Sequence, residues 1–504
     1  MTVVLKTDPL QRRLITGCLV FSSVMVTMDT TIANVVLPVM QGSLNASSDH
    51  MPWVITSYIV AGAIATPLAG SLTGPVGRKT ILMASLVGFI VSSLLCGLAT
   101  DLAQMVVFRA LQGFTSAALM PLSQSLLFDM YEPEDHPQAM SVFSLGLMIG
   151  PVLGPIIGGL ISEHSSWRWV FLINLPLAGI ALVGLMIYMP STARTRGTRF
   201  DYLGFALLAV AIACVQLVLD RGEAKDWFAS TEIFIETILA GGTLYFFILH
   251  MMTAKSPFVD IGLFRDWNFV SSLLMVFTLG GTLFAPIVLL APFLQDMQGY
   301  NIVDAGMLLS TRGIGTVMGF LLVPHLMRRI DPRLILVAGS CLIVIALTGM
   351  LNFNLEVGTW PIVWTGVVQG FGIGLMFMPI SVMGFATLEP RLRDQAAAFY
   401  TLVRNLGGSL GVAIGAYVLL VSTDANLVDL YNQFAAFGPN APEAAALPWP
   451  LDNPQGLFLM KQELLRQSRM TGYHNVFMVL IWAAVATLPL ILLMRKPVDH
   501  PAIR

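Results

Sequence analysis

Fourteen stretches of this chain are each long and apolar enough to dissolve in lipid, and a chain built that way has few folds open to it. Crossing about 30 Å of hydrocarbon takes roughly 20 apolar residues at about 1.5 Å of helical rise each. No water reaches backbone amides inside a bilayer, so only helices and closed barrels can span it. Runs of this length predict helices, because barrel strands need about half as many residues. They fall at roughly 14–38, 51–73, 80–99, 103–128, 137–162, 169–189 and 202–219. The remainder lie at roughly 231–252, 268–293, 303–324, 333–351, 359–384, 396–421 and 474–494. An all-α polytopic membrane protein is expected. Composition agrees: 56% of the residues are apolar and 11% charged, against about a quarter charged in a soluble domain. The first run continues to about Pro38 with no small-residue cleavage site, so it reads as a retained span and not a signal peptide.

Basic residues orient such a chain, because they collect on cytoplasmic connections. Of 27 Lys and Arg, 18 fall on one alternating set of connections, 6 on the other set and 3 inside spans. The basic set includes both ends, which predicts cytoplasmic termini. The acidic connection from Glu132 to His136 departs from the pattern locally. The polar, basic stretch PSTARTRGTRF (190–200) suits a cytoplasmic linker between two bundles. The one long outside connection, about 422–472, is expected to be a loop. Its segment FGPNAPEAAALPWP is kept from helix by proline, and LFLMKQELLRQSRM after it has the pattern of a short amphipathic helix. That connection is either loose or a docking surface for a partner. A net charge of −2 offers no footprint for nucleic acid.

Ionisable groups inside a bilayer are costly, so each is a candidate for function. Asp29 lies about nine residues from the outer end of the first span and Arg109 about seven from that of the fourth. At about 1.5 Å per residue both sit roughly 10–14 Å deep. Burial favours the neutral form of a carboxyl group, and a nearby cation favours the charged form. Moving the cation therefore changes protonation, which is the physics of a proton-coupled switch; a static ion pair joining two helices is the plainer reading. Arg312 and Arg404 have no acidic residue at matching depth in the second half of the chain. They face a wet cavity, bind helix carbonyls or meet an anionic substrate group. Asn34, Gln112, Gln124, Gln369 and Asn405 are further cavity candidates, though interhelical hydrogen bonding explains the glutamines equally well.

Glycines recur every four residues at Gly146, Gly150, Gly154 and Gly158, and again at Gly407, Gly411 and Gly415. Each set shares a helix face, which serves close helix packing or a sliding contact. The four cysteines, Cys18, Cys96, Cys214 and Cys341, are scattered through apolar runs and read as small buried hydrophobes, with no metal spacing. No phosphate-binding loop, HExxH, GxSxG or Cys/His cluster occurs, so neither ATP hydrolysis by this chain nor an enzyme activity is expected.

Several ordered motifs together resemble the major facilitator superfamily, in its fourteen-span drug:proton antiporter branch of the EmrB and QacA type. They are MDTTIANVVLP (28–38), GSLTGPVGRK (70–79), Arg109 with Gln112 and Gly113, and GPVLGPIIGG (150–159). WRWVFLINLP (167–176), VLDRGEAKDWF (218–228) and VRNLGGSLG (403–411) belong with them. The resemblance implies conformational roles for Gly70, Gly77, Arg78, Lys79, Gly113, Gly150, Pro151, Gly154, Pro155, Gly158 and Gly159. Where the superfamily usually has Asp-Arg after the second helix, this chain has Gly74-Pro75, so the acidic latch of that loop is expected to be missing.

The resemblance further implies a six-helix bundle over 1–189, the linker at 190–201, two inserted helices over 202–252, a second six-helix bundle over 268–494 and a tail at 495–504. It implies alternating access, proton antiport with no cofactor, and hydrophobic, chemically varied substrates exported across the inner membrane. A periplasmic membrane-fusion adaptor and an outer-membrane channel are implied as partners of the long outer connection. An uptake or metabolite carrier on the same fold, or a receptor or scaffold without transport, are the competing readings.

Overall fold

The computed structural model describes residues 8–47, 50–190, 200–437 and 454–494; the side chains of 35, 152, 155, 302 and 433–437 lie outside that description. Fourteen helices are long and apolar enough to cross a membrane, and no strand occurs among the described residues. In chain order they are α1 (Pro9–Ser43), α2 (Trp53–Val76), α3 (Arg78–Leu98), α4 (Leu102–Met130), α5 (Pro133–His164), α6 (Trp169–Tyr188) and α7 (Tyr202–Arg221). There follow α8 (Thr231–Thr253), α9 (Trp267–Met297), α10 (Ile302–Met327), α11 (Pro332–Met350), α12 (Thr359–Ala386), α13 (Arg393–Phe437) and α14 (Pro454–Leu493). Successive helices run in opposite directions, so the assembly has an Arg78 face and a Trp53 face. Polar residues punctuate the turns: the side chains of Asp101, Asp266 and Asn301 accept the amides of Gln104, Phe269 and Asp304, capping α4, α9 and α10.

Within the first half, α1 packs on α5 and α6, and α4 packs on α2 and α3. Within the second, α10 and α11 pack on α12, and α13 packs on α9 and α14. The recurring glycines make two of these contacts. A Cβ on Gly150 would strike the Thr27 side chain of α1, and one on Gly154 the Thr31 hydroxyl. One on Gly407 would strike the Phe277 carbonyl of α9, and one on Gly411 the backbone of Gly281. At Gly158 the same atom would sit 3.2 Å from Ile32 Cγ2, tight but tolerable. Gly154→Leu is therefore expected to abolish transport or insertion while Gly158→Leu keeps a measurable fraction of both, in parallel membrane-insertion and transport assays. Equal activity of the two variants would disconnect this face from the mechanism.

The inserted pair is placed by α7, which packs on both α2 and α13, along the seam where those helices meet. Gln216 Nε2 donates to Ser409 Oγ of α13 at 2.8 Å. The Arg221 guanidinium lies 4.5 Å from the Trp53 ring centroid of α2. Trp227 sets its ring edge-on to Tyr417 at 5.7 Å. α8 packs on α7 and leaves most of its own surface exposed.

The expected loop at 422–472 is corrected. α13 continues as one 45-residue helix to Phe437, and α14 starts at Pro454 in a 32-residue segment reaching Val485. The two helices extend beyond the Trp53 face as a hairpin. Asn475 Nδ2 donates to Ser422 Oγ at 3.1 Å, and Thr423, Leu464, Ser468 and Met470 are buried between neighbours. The amphipathic stretch is the first turns of α14 and not a separate helix. The proline-rich segment from Gly438 to Asn453 lies outside the described residues, as does the linker at 191–199. One cysteine also departs from expectation: Cys341 is exposed on α11, on surface that lipid would cover.

Candidate functional site

Five helices of the first half converge on one buried carboxylate. Arg109 Nη1 donates to Asp29 Oδ2 at 2.7 Å, and neither side chain is exposed at all. Asp29 Oδ1 accepts from Gln112 Nε2 at 3.0 Å and from Asn174 Nδ2 of α6 at 2.6 Å. Gln112, one turn along α4 from Arg109 and so on the same face, accepts from Arg109 Nη1 at 2.6 Å and donates to Ser93 Oγ of α3 at 2.8 Å. Arg109 Nε donates to the Val54 carbonyl of α2 at 3.3 Å. The guanidinium also lies over the Tyr58 ring at 4.2 Å, a contact that favours a cation. Charge-assisted bonds of this kind are about twice as strong as neutral ones. Protonating Asp29 would cancel one charge, weaken each bond that it accepts and release Arg109 toward its neutral partners.

The matching depth of Asp29 and Arg109 in the sequence thus corresponds to direct contact. Gln112, a cavity candidate, instead belongs to this cage. Asn174, Ser93 and Tyr58 are not singled out by the sequence; Asn174 is a lone polar residue in an apolar run, the one signal available, while Ser93 and Tyr58 sit beside other polar residues that do not join the cage. Asn34 is exposed, further along α1 toward the Trp53 face. Gln369 is buried and donates to the Thr282 carbonyl at 3.2 Å. Arg404 is partly buried near the Phe377 ring, 5.7 Å from its centroid, and Nη2 donates to the exposed Asn405 at 3.5 Å. Arg312 is buried, with 4% exposure. Pro151 is exposed, Gly159 has open space around it, and the Pro155 side chain lies outside the described residues.

A second constellation joins the two halves at the Arg78 face; the loop after α2 lacks its acidic residue as expected, and the acids come from elsewhere. Arg78 Nη1 donates to Asp129 of α4 at 2.6 Å, and Nε to Asp394 of α13 at 2.8 Å. Arg393 donates to the other oxygen of Asp129 at 2.5 Å, and Ser125 Oγ to the other oxygen of Asp394 at 2.6 Å. The carboxylate facing Arg78 across the halves is therefore carried by the first turn of α13, where it also suits the helix dipole. Gly70 lets α13 approach: its Cβ would lie 3.0 Å from both the Asp394 carbonyl and Ala398. Gly77, at φ +93°, makes the turn into α3 that side chains resist. Lys79 Nζ donates to the Met186 and Met189 carbonyls that end α6, at 2.9 and 2.5 Å. Gln124, another cavity candidate, seals the same junction by donating to Ser381 Oγ at 2.6 Å. Ser141 Oγ donates to the Phe320 carbonyl at 2.6 Å, and Phe128 stacks on Phe385 at 4.9 Å.

Residues 19–412 match the profile of the Major Facilitator Superfamily. The chain belongs to that superfamily. Among its superfamily relatives, it is 32% identical to the multidrug export protein EmrB of Escherichia coli K12, over 85% of this chain and 84% of that one. It is 31% identical to the fatty acid resistance protein FarB of Neisseria gonorrhoeae, over 95% of each chain. Among solved superfamily structures it resembles the human organic anion transporter MFSD10, with a TM-score of 0.63 over 96% of this chain and 100% of that one, at 13% identity. That likeness concerns the fold. The chain is thus a multi-pass membrane protein of a transporter superfamily, with a buried ion pair in one half and an ionic seal between the halves.

Proposed function

We propose that this protein is a proton-coupled antiporter exporting hydrophobic, chemically varied compounds by alternating access. The observation that carries this is Asp29, a membrane-embedded carboxylate held by one cation and two neutral donors. A proton-coupled exporter needs such a group, and a scaffold gains nothing from it. Relatives named for multidrug export and fatty acid resistance support the substrate class. The proton gradient supplies the energy, and no cofactor takes part. The bias of 18 basic residues against 6 supports a cytoplasmic Arg78 face in the inner membrane, with both termini inside. On that orientation the Arg78–Asp394 seal closes the cytoplasmic side, and the two halves α1–α6 and α9–α14 are the bodies that rock. The deciding measurement uses purified protein in vesicles carrying an imposed pH gradient. Adding hydrophobic drugs should move protons against the drug; correctly inserted protein that moves none for any compound tested would leave a scaffold or receptor. Substrate accumulation along with protons would mark an uptake carrier instead.

The hairpin beyond the Trp53 face is proposed to dock a periplasmic adaptor that leads to an outer-membrane channel. Leu457, Phe458 and Leu459 are exposed there, at 53%, 59% and 47%, an apolar cluster of the kind that marks interaction sites. Shortening both arms by matched turns should spare proton-coupled transport in vesicles yet weaken resistance in intact cells of a double-membraned bacterium. Unchanged resistance, together with crosslinkers at 457–459 that capture no second protein, would remove the partner from the scheme.

A further inference from the structure

The second half repeats the α4 motif with one change. Arg109-x-x-Gln112-Gly113-Phe114 of α4 reappears in α12 as Gly366-x-x-Gln369-Gly370-Phe371. The repeat is structural as well. A Cβ on Gly113 would strike the Tyr58 carbonyl of α2, and one on Gly370 the Arg312 carbonyl of α10. Arg312 therefore occupies the place of Tyr58, the ring beneath Arg109. Gly366, in the place of Arg109, has no side chain, and its Cβ would meet Thr311 Oγ1 at 2.7 Å. The glycine faces align the carboxylate position too. Gly150 and Gly154 pack on Thr27 and Thr31, and Gly407 and Gly411 on Phe277 and Gly281. Asp29, midway between the first pair, corresponds to Leu279, which is buried. The second half thus keeps a buried cation at this level and replaces the carboxylate with hydrocarbon.

Arg312 is 4% exposed, and its Nε and Nη1 have no hydrogen-bond partner among the described residues. It borders a void of about 10 Å³ whose other walls include Leu290, Leu309, Phe353 and Thr365. That is room for about one water-sized group. Along α10 the next carboxylate is Asp304, near the helix start, where it is engaged by Asn301 at 2.7 Å. Arg404, on α13, likewise hydrogen-bonds a neutral partner, Asn405. A guanidinium desolvated without a counter-charge is an unstable arrangement, and its planar fork matches a carboxylate or accepts a small anion.

We propose that Arg312 is an anion site in the second half, taking either a free halide or the carboxylate head of an amphipathic monoanion; the void seats the head alone, and a tail enters only as the surrounding apolar side chains part. The second source rests on the export function proposed above; the site itself does not. The test is thermal unfolding of the purified, full-length protein in neutral detergent below its saturation by added ligand. Probes are sodium bromide and sodium decanoate, each against sodium isethionate at equal ionic strength and with 1-decanol as the uncharged tail. Wild type should show a saturable rise in unfolding temperature with one of the two probes. Arg312→Gln should lose that rise, and Arg312→Lys, which keeps the charge, should retain part of it. A rise with bromide alone assigns a free inorganic anion; a rise with decanoate but not decanol assigns a substrate head group. No anion-specific rise in wild type, or an equal rise in Arg312→Gln, overturns the site. Drug-driven proton movement by wild type in vesicles is scored separately, so loss of the export reading and loss of the anion site are distinguishable.

Discussion

Replacing Asp29 with Asn is expected to abolish drug-driven proton movement in vesicles while the protein still inserts and folds. Asparagine retains an oxygen for Gln112 or Asn174 but carries neither a negative charge nor a titratable proton. Removing one member of a buried ion pair costs about 3–5 kcal/mol when the other is left uncompensated. Arg109 still has Gln112, the Val54 carbonyl and the Tyr58 ring, so the loss should fall toward the lower end. Asp29→Asn combined with Arg109→Gln should then recover stability without recovering coupling, and comparing thermal unfolding with proton flux separates the two. Arg109→Ala should be more damaging than Arg109→Lys. The Ala variant leaves the Asp29 carboxylate without its cationic partner, whereas Lys keeps a positive charge in reach, and comparing proton flux by the two variants checks this. Wild-type coupling in Asp29→Asn would remove this residue from the mechanism.

Asp394→Asn should unseal the Arg78 face. The substitution weakens two charge-assisted hydrogen bonds, from Arg78 and Ser125, each on the order of 1.5–3 kcal/mol when lost completely. Even half of one such bond shifts a two-state equilibrium severalfold, and losing both shifts it by about two to four orders of magnitude. Spin labels on the α3 and α13 ends should report a longer distance in the variant, and transport should fall as the sealed state becomes rare. High salt should mimic the effect only weakly, because Arg78 and Asp394 are 16% and 9% exposed and buried pairs are screened little. Unchanged distances would mean that the remaining contacts between the halves, Arg393–Asp129 and Gln124–Ser381 among them, hold the seal without Asp394.

What the sequence disclosed was whatever depends on local counting. Span number follows from run length, and the Asp29–Arg109 pairing follows from depth, because two charges at one level of a low-dielectric slab seek each other. The glycine faces follow from a period of four. Rotation about each helix axis does not follow, and rotation decides that Asn174 meets Asp29 and Ser93 meets Gln112 while Asn34 is exposed. The Arg78–Asp394 contact spans 316 residues, so motif comparison registered a lost acid in its own loop and missed the acid supplied by the other half. The hairpin reads as a loop in the sequence because its polar outer turns fall below span hydrophobicity, although helical turns past the membrane need only each other's apolar stripe.

The position of α7 has a consequence for how a lipid-dissolved compound gets in. Two helical halves that rock against each other leave two lateral seams, one on either flank. Here the α2–α13 flank is covered by α7, pinned at Ser409 and Trp53, and by the turn after it, where Trp227 meets Tyr417. The opposite flank, between α5 and α10, carries no such cover among the described residues. On the export reading proposed above, access from the bilayer is then expected to be one-sided: α7 walls off one flank, while the other is closed only by α5 lying directly against α10.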